Sequence, residues 1–524
     1  MDGGAPRLVP NERGEAFMPT CAALGRDGSP VYGEAARGIG KLDPSRYAEG
    51  IKAMLGSGRA LSLGGRAFEA EELAAGLISV LKSSAEAWAG EEASFAAITV
   101  PASWDEARRR ATREAGFRAG FPELRLVNEP TAAALAYASA SKGLPERCGI
   151  LVLDLGGGTF DASILRKEGA SYRVLASTGE PGLGGEACSA ALRGLVLGKL
   201  APEAREAIAS DPLAAWSFGE GVEALKRELS ASEEAELAIP FISGAAHARA
   251  LVRRDEFEDA AGHVIERAME ISRGLVEGAK AGIDLVVLAG GASRMPMVRR
   301  LVRRDFGMDC APRARPEELV ALGAALVASL GLAEGPEMRF TDLSRWTYGV
   351  EIAGGGFQAV LPKGRPLPAR CSRLFATELP GQACAEVHVL QGESKIASEN
   401  LSLGRLMLTG IESPEGARGT IRVEFGIDED DILHIAAKDL GGSAFEEARL
   451  PLHGGSGPAS ARLKTLAARL EALAKKAEPG LALEAAEMAA KARAAAGRGD
   501  EAEAELIAKA MAVLIAEIER RGGL

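Results

Sequence analysis

Leu151-Val-Leu-Asp-Leu-Gly-Gly-Gly-Thr-Phe-Asp-Ala-Ser-Ile-Leu165 reads as strand, glycine turn, strand, with two carboxylates and a hydroxyl gathered at the bend. Gly156, Gly157 and Gly158 carry no Cβ, so the backbone reaches turn geometries closed to other residues and can bring its N–H groups against an anion. Thr159 adds a hydroxyl at the same edge. Asp154 and Asp161 would repel a bare phosphate, yet they make sense if a divalent cation with its waters sits between them. The ligand this pattern implies is a magnesium nucleotide. A glycine triplet after a strand is also what an ordinary hairpin looks like, so the rest of the chain has to decide.

Working outward, a chain of 524 residues is too long for one core and suggests roughly two to four domains. Its 62 basic and 73 acidic residues give a net charge of -11, which argues against a nucleic-acid partner. Arg108, Arg109 and Arg110, and the group Arg299, Arg300, Arg303 and Arg304, lie in helical patterns with apolar neighbours and read as solvated helix faces. The six cysteines have no CxxC or zinc-type spacing, as in a reducing compartment, and the five histidines are equally dispersed, so no structural metal site is expected. No apolar run approaches the ~20 residues that span a bilayer, and the N-terminus lacks a basic stretch followed by an apolar core. The expectation is a cytoplasmic protein with no membrane partner.

From Met1 to about Leu332 short β-branched strands alternate with longer amphipathic helices, an α/β architecture with covered sheets. Ala96–Pro101 and Leu285–Ala289 read as strands; 68–91 and 105–119 have the helical period. Gly335-Pro336 marks a boundary. Beyond it, Val387–Gln391 and Ile421–Phe425 alternate with period two, which predicts an antiparallel β domain ending near His453. After Gly454 the composition turns to Ala, Leu, Glu, Lys and Arg, with breaks at Pro479-Gly480 and 497–500, and three helices are expected.

The glycine hairpin resembles the second phosphate loop of the actin, sugar-kinase and Hsp70 superfamily. Asn128-Glu-Pro-Thr-Ala-Ala-Ala-Leu-Ala-Tyr137, Leu183-Gly-Gly-Glu186 and Leu288-Ala-Gly-Gly-Ala-Ser-Arg-Met-Pro296 look like Hsp70 (DnaK) family signatures, in the family's order and at about its spacing. The resemblance implies a multidomain chain. An actin-like, RNase H-like duplicated ATPase domain would cover 1–334, with its first strands missing, followed by a linker over 335–343. A β-sandwich peptide-binding domain would cover 344–454 and a short helical lid 455–524.

The same resemblance implies the roles of individual residues. Lys52 matches the family's catalytic lysine, and Glu129 and Asp154 match residues that organise magnesium and the attacking water, Asp154 holding the metal through water. Thr159 and Asp161, with Gly156, Gly157, Gly158, Gly184 and Gly185, match the phosphate side. Glu223, Lys226, Arg227 and Ser230 fall at i, i+3, i+4 and i+7, on one helix face. Read alone that is a solvated face with an ion pair; by the resemblance it lines an adenosine pocket. Gly290, Gly291, Ser293 and Arg294 resemble the opposite wall, where Arg294 can stack on the base. Such a site works on ATP and ADP with Mg2+ by positioning and charge neutralisation, without a covalent intermediate. Pro101, Arg109 and Pro130 match positions linked to interdomain signalling.

Departures from the family pattern carry expectations of their own. Arg315 and Glu317 stand where the family has Asn and Asp, and the segment Met338–Leu343 keeps little of the usual apolar linker. No Asp-Leu-Gly-Thr-Thr loop occurs, and Met1–Arg7 aligns just downstream of it. Loss of an interior strand would leave buried backbone groups unpaired at ~1–3 kcal/mol each, so a start upstream of Met1 is the favoured expectation and a decayed relative, with its ATPase in doubt, the alternative. In the β domain, Gly349–Glu351, Phe375, His388–Glu393 and Asp431–His434 carry the resemblance. Val350, Phe375 and Val387 match pocket-lining positions, Ala353 and Glu378 stand at the arch over the peptide, and Ala385 replaces a larger pocket residue. A strand-gripping site of this kind takes extended peptide by backbone hydrogen bonds.

The function this implies is an Hsp70-type chaperone for unfolded or extended polypeptides in folding and the stress response, driven by ATP hydrolysis and served by a J-domain co-chaperone and a nucleotide-exchange factor. The alternatives are an ATPase-deficient holdase and a specialised iron–sulfur-assembly relative.

Overall fold

A computed structural model describes residues 6–11, 13–141, 143–244, 246–311, 315–332, 339–413, 416–428, 433–449, 485–486, 488–491 and 511. The expected helical tail, Asp431 and Gly335-Pro336 fall mostly or wholly outside these. The chain divides into two compact units, Met1–Asp342 and Leu343–Leu524.

In the first unit the hairpin expected from the glycine triplet is the middle of a five-stranded sheet. Its order is Leu285–Ala289, Arg147–Leu155, Thr159–Glu168, Ser171–Pro181, Arg339–Thr341. Every residue of Arg147–Leu155 after the first is buried, which is why 148–153 reads as an apolar run and not as an alternation, with Asp154 a buried charge beyond it. Leu151, Leu153, Leu155, Phe160 and Ile164 are at most 1 % exposed and pack with Cys188, Leu192 and Phe218 from the covering helices.

A pattern of strand, helix, strand or bridge, helix occurs twice. Phe95–Val100 leads through helix Glu106–Arg118 to the parallel strand Glu123–Asn128 and helix Glu129–Ala140. Leu285–Ala289 leads through helix Pro296–Phe306 to a parallel bridge between Val286 and Cys310 and then to helix Pro316–Leu332. The two closing helices cross at Gly323, where a Cβ would lie 1.9 Å from the Ala132 carbonyl oxygen. The two halves differ at one edge. Leu285–Ala289 is paired by Arg147–Leu155, whereas among the described residues Phe95–Val100 pairs with Glu123–Asn128 alone, and only its last residue is buried. A smaller antiparallel sheet, Pro30–Tyr32, Cys21–Leu24, Tyr47–Glu49, stands apart with helix Gly33–Gly40 packed on it.

Part of the segment read as a linker is a strand. Arg339–Thr341 pairs parallel with Ser171–Arg173, and Asp342 after it accepts a hydrogen bond from Asn128 Nδ2 and one of 3.4 Å from Thr131 Oγ1. Arg109, read from the sequence as part of a solvated helix face, is instead buried at 3 % exposure, where it donates to the other end of the Asn128 amide.

The second unit contains two antiparallel four-stranded sheets. One is ordered Gly356–Leu361, Tyr348–Ile352, Cys384–Gln391, Leu401–Thr409; the other Ala369–Ala376, Thr420–Ile427, Leu433–Asp439, Phe445–Arg449. Val350, Val387 and Val389 of the first and Val423, Phe425 and Ile435 of the second share one core. His388 fastens three strands of the first sheet, its Nδ1 2.6 Å from Glu351 and its Nε2 2.8 Å from Ser402 Oγ.

Candidate functional site

The hairpin's register sets Asp154 directly opposite Asp161, one on each strand just before and after the glycine turn. The turn is closed by the Gly156 N–H on the Thr159 carbonyl at 3.0 Å. A second loop docks onto it: the N–H groups of Gly182, Gly185 and Glu186 donate to the carbonyls of Gly158, Gly156 and Gly157 at 2.8–2.9 Å. Only glycine serves at 184, since a Cβ there would lie 2.6 Å from the Gly157 oxygen. The helix Gly185–Lys199 starts at this contact, and the Glu186 carboxylate lies over the turn, within 3.5 Å of where a Cβ on Gly157 would be.

Two other elements bring charge to the same place, and a backbone N–H from a third segment joins them. Lys52, on the short helix Ile51–Met54, donates to Glu129 at the start of Glu129–Ala140, and its ammonium lies 5.6 Å from the centre of the Trp104 ring. Asp161 accepts from the Ser103 N–H at 2.8 Å. Burial pushes the Asp154 carboxyl well above the usual carboxylate range; Glu129 and Asp161 push the same way and Lys52 opposes them. For Lys52 burial pulls downward, but the three carboxylates outweigh it and hold the ammonium above its ordinary value. Its side chain stays 47 % exposed, so this cluster opens to solvent on the lysine side. Facing buried carboxylates whose like charges favour a proton on one of them are a donor set that suits a hard divalent cation with its waters.

The second wall is the helix Pro212–Ala231. Lys226 reaches the Gly185 carbonyl at 3.1 Å, Ser189 Oγ at 2.9 Å and the Glu223 carboxylate at 2.6 Å. Burial alone would raise the Glu223 carboxyl, yet Lys226, Ser189 and Arg227 together bring it below its ordinary value. Arg227 bonds Glu223 from the solvent side, and Ser230 Oγ returns to the Lys226 carbonyl. The face predicted from the spacing is therefore one hydrogen-bonded set, with the Lys226 side chain 11 % exposed and that of Arg227 72 %.

Gly290 has φ +76, and a Cβ on it would lie 2.2 Å from the Leu155 oxygen and 2.6 Å from Asp154 Oδ1. The backbone after Leu285–Ala289 thus runs against the Asp154 carboxylate. Gly291 opens the turn of 3-10 helix Gly291–Arg294; Ser293, wholly buried, donates to the Gly290 carbonyl at 2.7 Å. Arg294 is gripped by both oxygens of Glu317.

Lys52, Glu129, Asp154 and Asp161 thus come together beside the glycine turn, and Gly184, Gly185, Glu223, Lys226 and Gly290 surround the same turn. Glu186, Ser189, Ser103 and Trp104 were not singled out from the sequence as site residues, whereas Glu317 was noted there as a departure from the family pattern. Glu186 had a signal in the quoted Leu183–Glu186 motif; Ser189, Ser103 and Trp104 had none.

In the second unit Val350 and Val387 are core residues, 3 % and 7 % exposed. Phe375 and Ala385 are half-buried against that core, and Ala353 and Glu378 are exposed.

A duplicated α/β unit closing on a glycine turn, joined to a separate β-sandwich unit, is the class of protein these two folds define. The family model described as Hsp70 protein matches residues 57–509, more than four fifths of the chain, and the chain belongs to the Hsp70 family. It is accordingly a chaperone of the Hsp70 type, in a family of ATPases that typically bind nucleotide with Mg2+ and act on unfolded polypeptides together with co-chaperones. Among the described residues no helix is long and apolar enough to cross a membrane.

Proposed function

We propose that the first unit binds and hydrolyses Mg-ATP at the glycine turn and that this cycle controls the grip of the second unit on extended peptide segments of unfolded proteins. The observation that carries the reading is the convergence of Lys52, Glu129, Asp154 and Asp161 beside the turn. Bound magnesium supplies charge neutralisation for the transferring phosphoryl group. The chain's own residues do the rest. Asp154 holds the metal's waters, Lys52 holds the γ-phosphate and the attacking water, and Glu129 orients Lys52. Thr159 and the turn amides receive phosphate oxygens, while Glu223, Lys226, Arg227 and Ser230 face Gly290–Arg294 across the adenosine. In the second unit Val350, Phe375, Ala385 and Val387 form the peptide pocket, with Ala353 and Glu378 at its rim. J-domain and nucleotide-exchange partners and a cytoplasmic setting complete the proposal.

A holdase with little or no nucleotide turnover is the second reading. It is favoured by the hold of Glu317 on Arg294. Calorimetry with Mg-ADP and Mg-ATP, followed by turnover assays on the wild type and Lys52→Ala, separates the two. Heat on binding with turnover lost in Lys52→Ala supports the ATPase; binding without turnover in the wild type supports the holdase. No heat with either nucleotide overturns the nucleotide site itself.

A further inference from the structure

The outward face of the second sheet in the Leu343–Leu524 unit carries a row of side chains that the core does not use. Alternate residues of this sheet point inward, so Ile421, Val423, Leu433, Ile435 and Ala437 are buried in the shared core. The residues between them point outward. Register sets Leu374 beside Arg422, Arg422 opposite Lys438, and Lys438 beside Phe445, and one row therefore crosses every strand of the sheet. All of its members are exposed, Leu374 at 56 % and Phe445 at 55 %. Leu440, on the same outward face and 43 % exposed, adds apolar surface beside the row.

An ordinary solvated face would look different. Like charges directly opposite on neighbouring strands are destabilising. Arg422 and Lys438 are such a pair, in a chain whose net charge is -11. Neither has a hydrogen-bond or ion-pair partner among the described residues, and the Glu424 carboxylate on the same face lies 3.9 Å from Arg370 instead. The ends of the row are large and apolar where alternation asks only for polar groups. Its complement is a ligand with two negative charges in the middle and an apolar group at either end.

Spacing chooses among such ligands. Strands lie about 4.8 Å apart, so the two cations stand one such step apart and the row spans roughly 14 Å from Leu374 to Phe445. On an α-helix, residues at i and i+3 or i+4 lie about 5–6 Å apart, and i to i+10 covers about 15 Å along the axis. An extended chain overshoots, because four residues on one of its faces span about 20 Å. We propose that this sheet face docks an acidic amphipathic helix of a partner protein. Apolar residues at i and i+10 lie on Leu374 and Phe445, and carboxylates at i+3 and i+7 lie against Arg422 and Lys438. The surface is distinct from the proposed peptide pocket, since Phe375 turns inward against the core and Val350 and Val387 belong to the other sheet.

The probe is a fluorescein-labelled, Ala-based helical peptide with Leu at i and i+10 and Glu at i+3 and i+7, compared with the same peptide carrying Gln for both Glu. Binding to the full chain is read by fluorescence anisotropy. The wild type is expected to prefer the Glu peptide about tenfold at low salt, and added salt should shrink that preference. The double variant Arg422→Gln, Lys438→Gln should lose the preference and, relieved of a like-charge pair, melt no lower than the wild type. Phe445→Ser should weaken both peptides alike. An excess of unlabelled extended peptide flanked by Arg and Lys should leave the helix bound. Equal affinity for the two peptides, no binding of either, an unchanged preference in the double variant, or displacement by the extended peptide overturns the proposal. Co-sedimentation with phosphatidylserine vesicles and sedimentation velocity on the same proteins test other occupants. Vesicle binding lost in the double variant, with no binding of the Glu peptide, would assign the row to an anionic membrane. A wild-type dimer that the double variant makes monomeric would assign it to a second copy of the chain. Either result overturns the helix.

Discussion

Asp154 and Asp161 are register partners across the central hairpin, both almost wholly buried at 5 % and 1 % exposure. Two carboxylates so placed oppose each other's ionisation, and the Asp154 carboxyl is pushed up by burial first and by Glu129 and Asp161 next. A group whose folded value is raised contributes stability below its unfolded value and loses it as pH rises through the folded one. At neutral pH the unliganded protein therefore carries an unfavourable term at this hairpin. Asp154→Asn should raise the melting midpoint without ligand by about 2–4 °C, the shift of about 1 kcal/mol in a domain this large. It should also remove the magnesium-dependent part of ADP affinity. Scanning fluorimetry and calorimetry with and without Mg2+ check both; a lower midpoint would contradict the account.

Neighbouring glycines should respond unequally to the same substitution. Gly290, at φ +76, has no room for a Cβ beside Leu155 and Asp154, whereas Gly291 has nothing within 4 Å. Left-handed backbone costs other residues about 1–2 kcal/mol before any clash is counted. Gly290→Ala should therefore destabilise by more than ~2 kcal/mol, and Gly291→Ala should stay within about 0.5 kcal/mol. Urea unfolding followed by far-UV circular dichroism measures the contrast.

The hairpin was legible in the sequence because strands buried on both faces are mostly apolar, and because three consecutive glycines mark a tight turn. Glu223 and Lys226 were legible as a helix face. Lys52 was not legible by pattern: its helix, Ile51–Met54, is four residues long and too short to show a period. Ser189 was hidden for another reason, since it becomes a site residue only when two helices distant in sequence put Lys226 within 2.9 Å of it. Tyr47 and Trp216, whose rings meet edge to face, are 169 positions apart, and no local rule pairs them. The strand Arg339–Thr341 was read as linker because three residues cannot show alternation; the edge offered by Ser171–Arg173 decides it.

Cys188 is wholly buried in the core beneath the candidate site, and burial pushes its thiol up to about 11 from an ordinary 9.0. In the unfolded chain the thiol ionises near its ordinary value, so stability from this group is full below about pH 9 and is lost as pH rises toward 11. Cys188→Ala should flatten that alkaline loss, measured as urea midpoints from pH 8 to pH 11, at the expense of a small cavity. At pH 8 a thiol reagent should label the half-buried Cys371 and Cys384 well before Cys188 in the folded protein, and all six cysteines together in urea.

Stability and peptide affinity should separate in the second unit. Val387 is 7 % exposed within the shared core, so Val387→Ala should cost about 1–3 kcal/mol, whatever else the residue does. If it also lines the peptide pocket, affinity for an extended peptide should fall in protein that is still fully folded at the assay temperature. Glu378 is exposed, and its carboxylate can act only through what approaches it. Glu378→Gln should leave the melting midpoint unchanged and weaken binding of an Arg- and Lys-flanked peptide about two- to fivefold relative to a neutral one, as expected for a single exposed charge pair. Adding salt should shrink that preference in the wild type toward the variant's. Fluorescence anisotropy with the two labelled peptides at low and high salt measures it. Equal affinities in the wild type at low salt would remove Glu378 from the peptide's path.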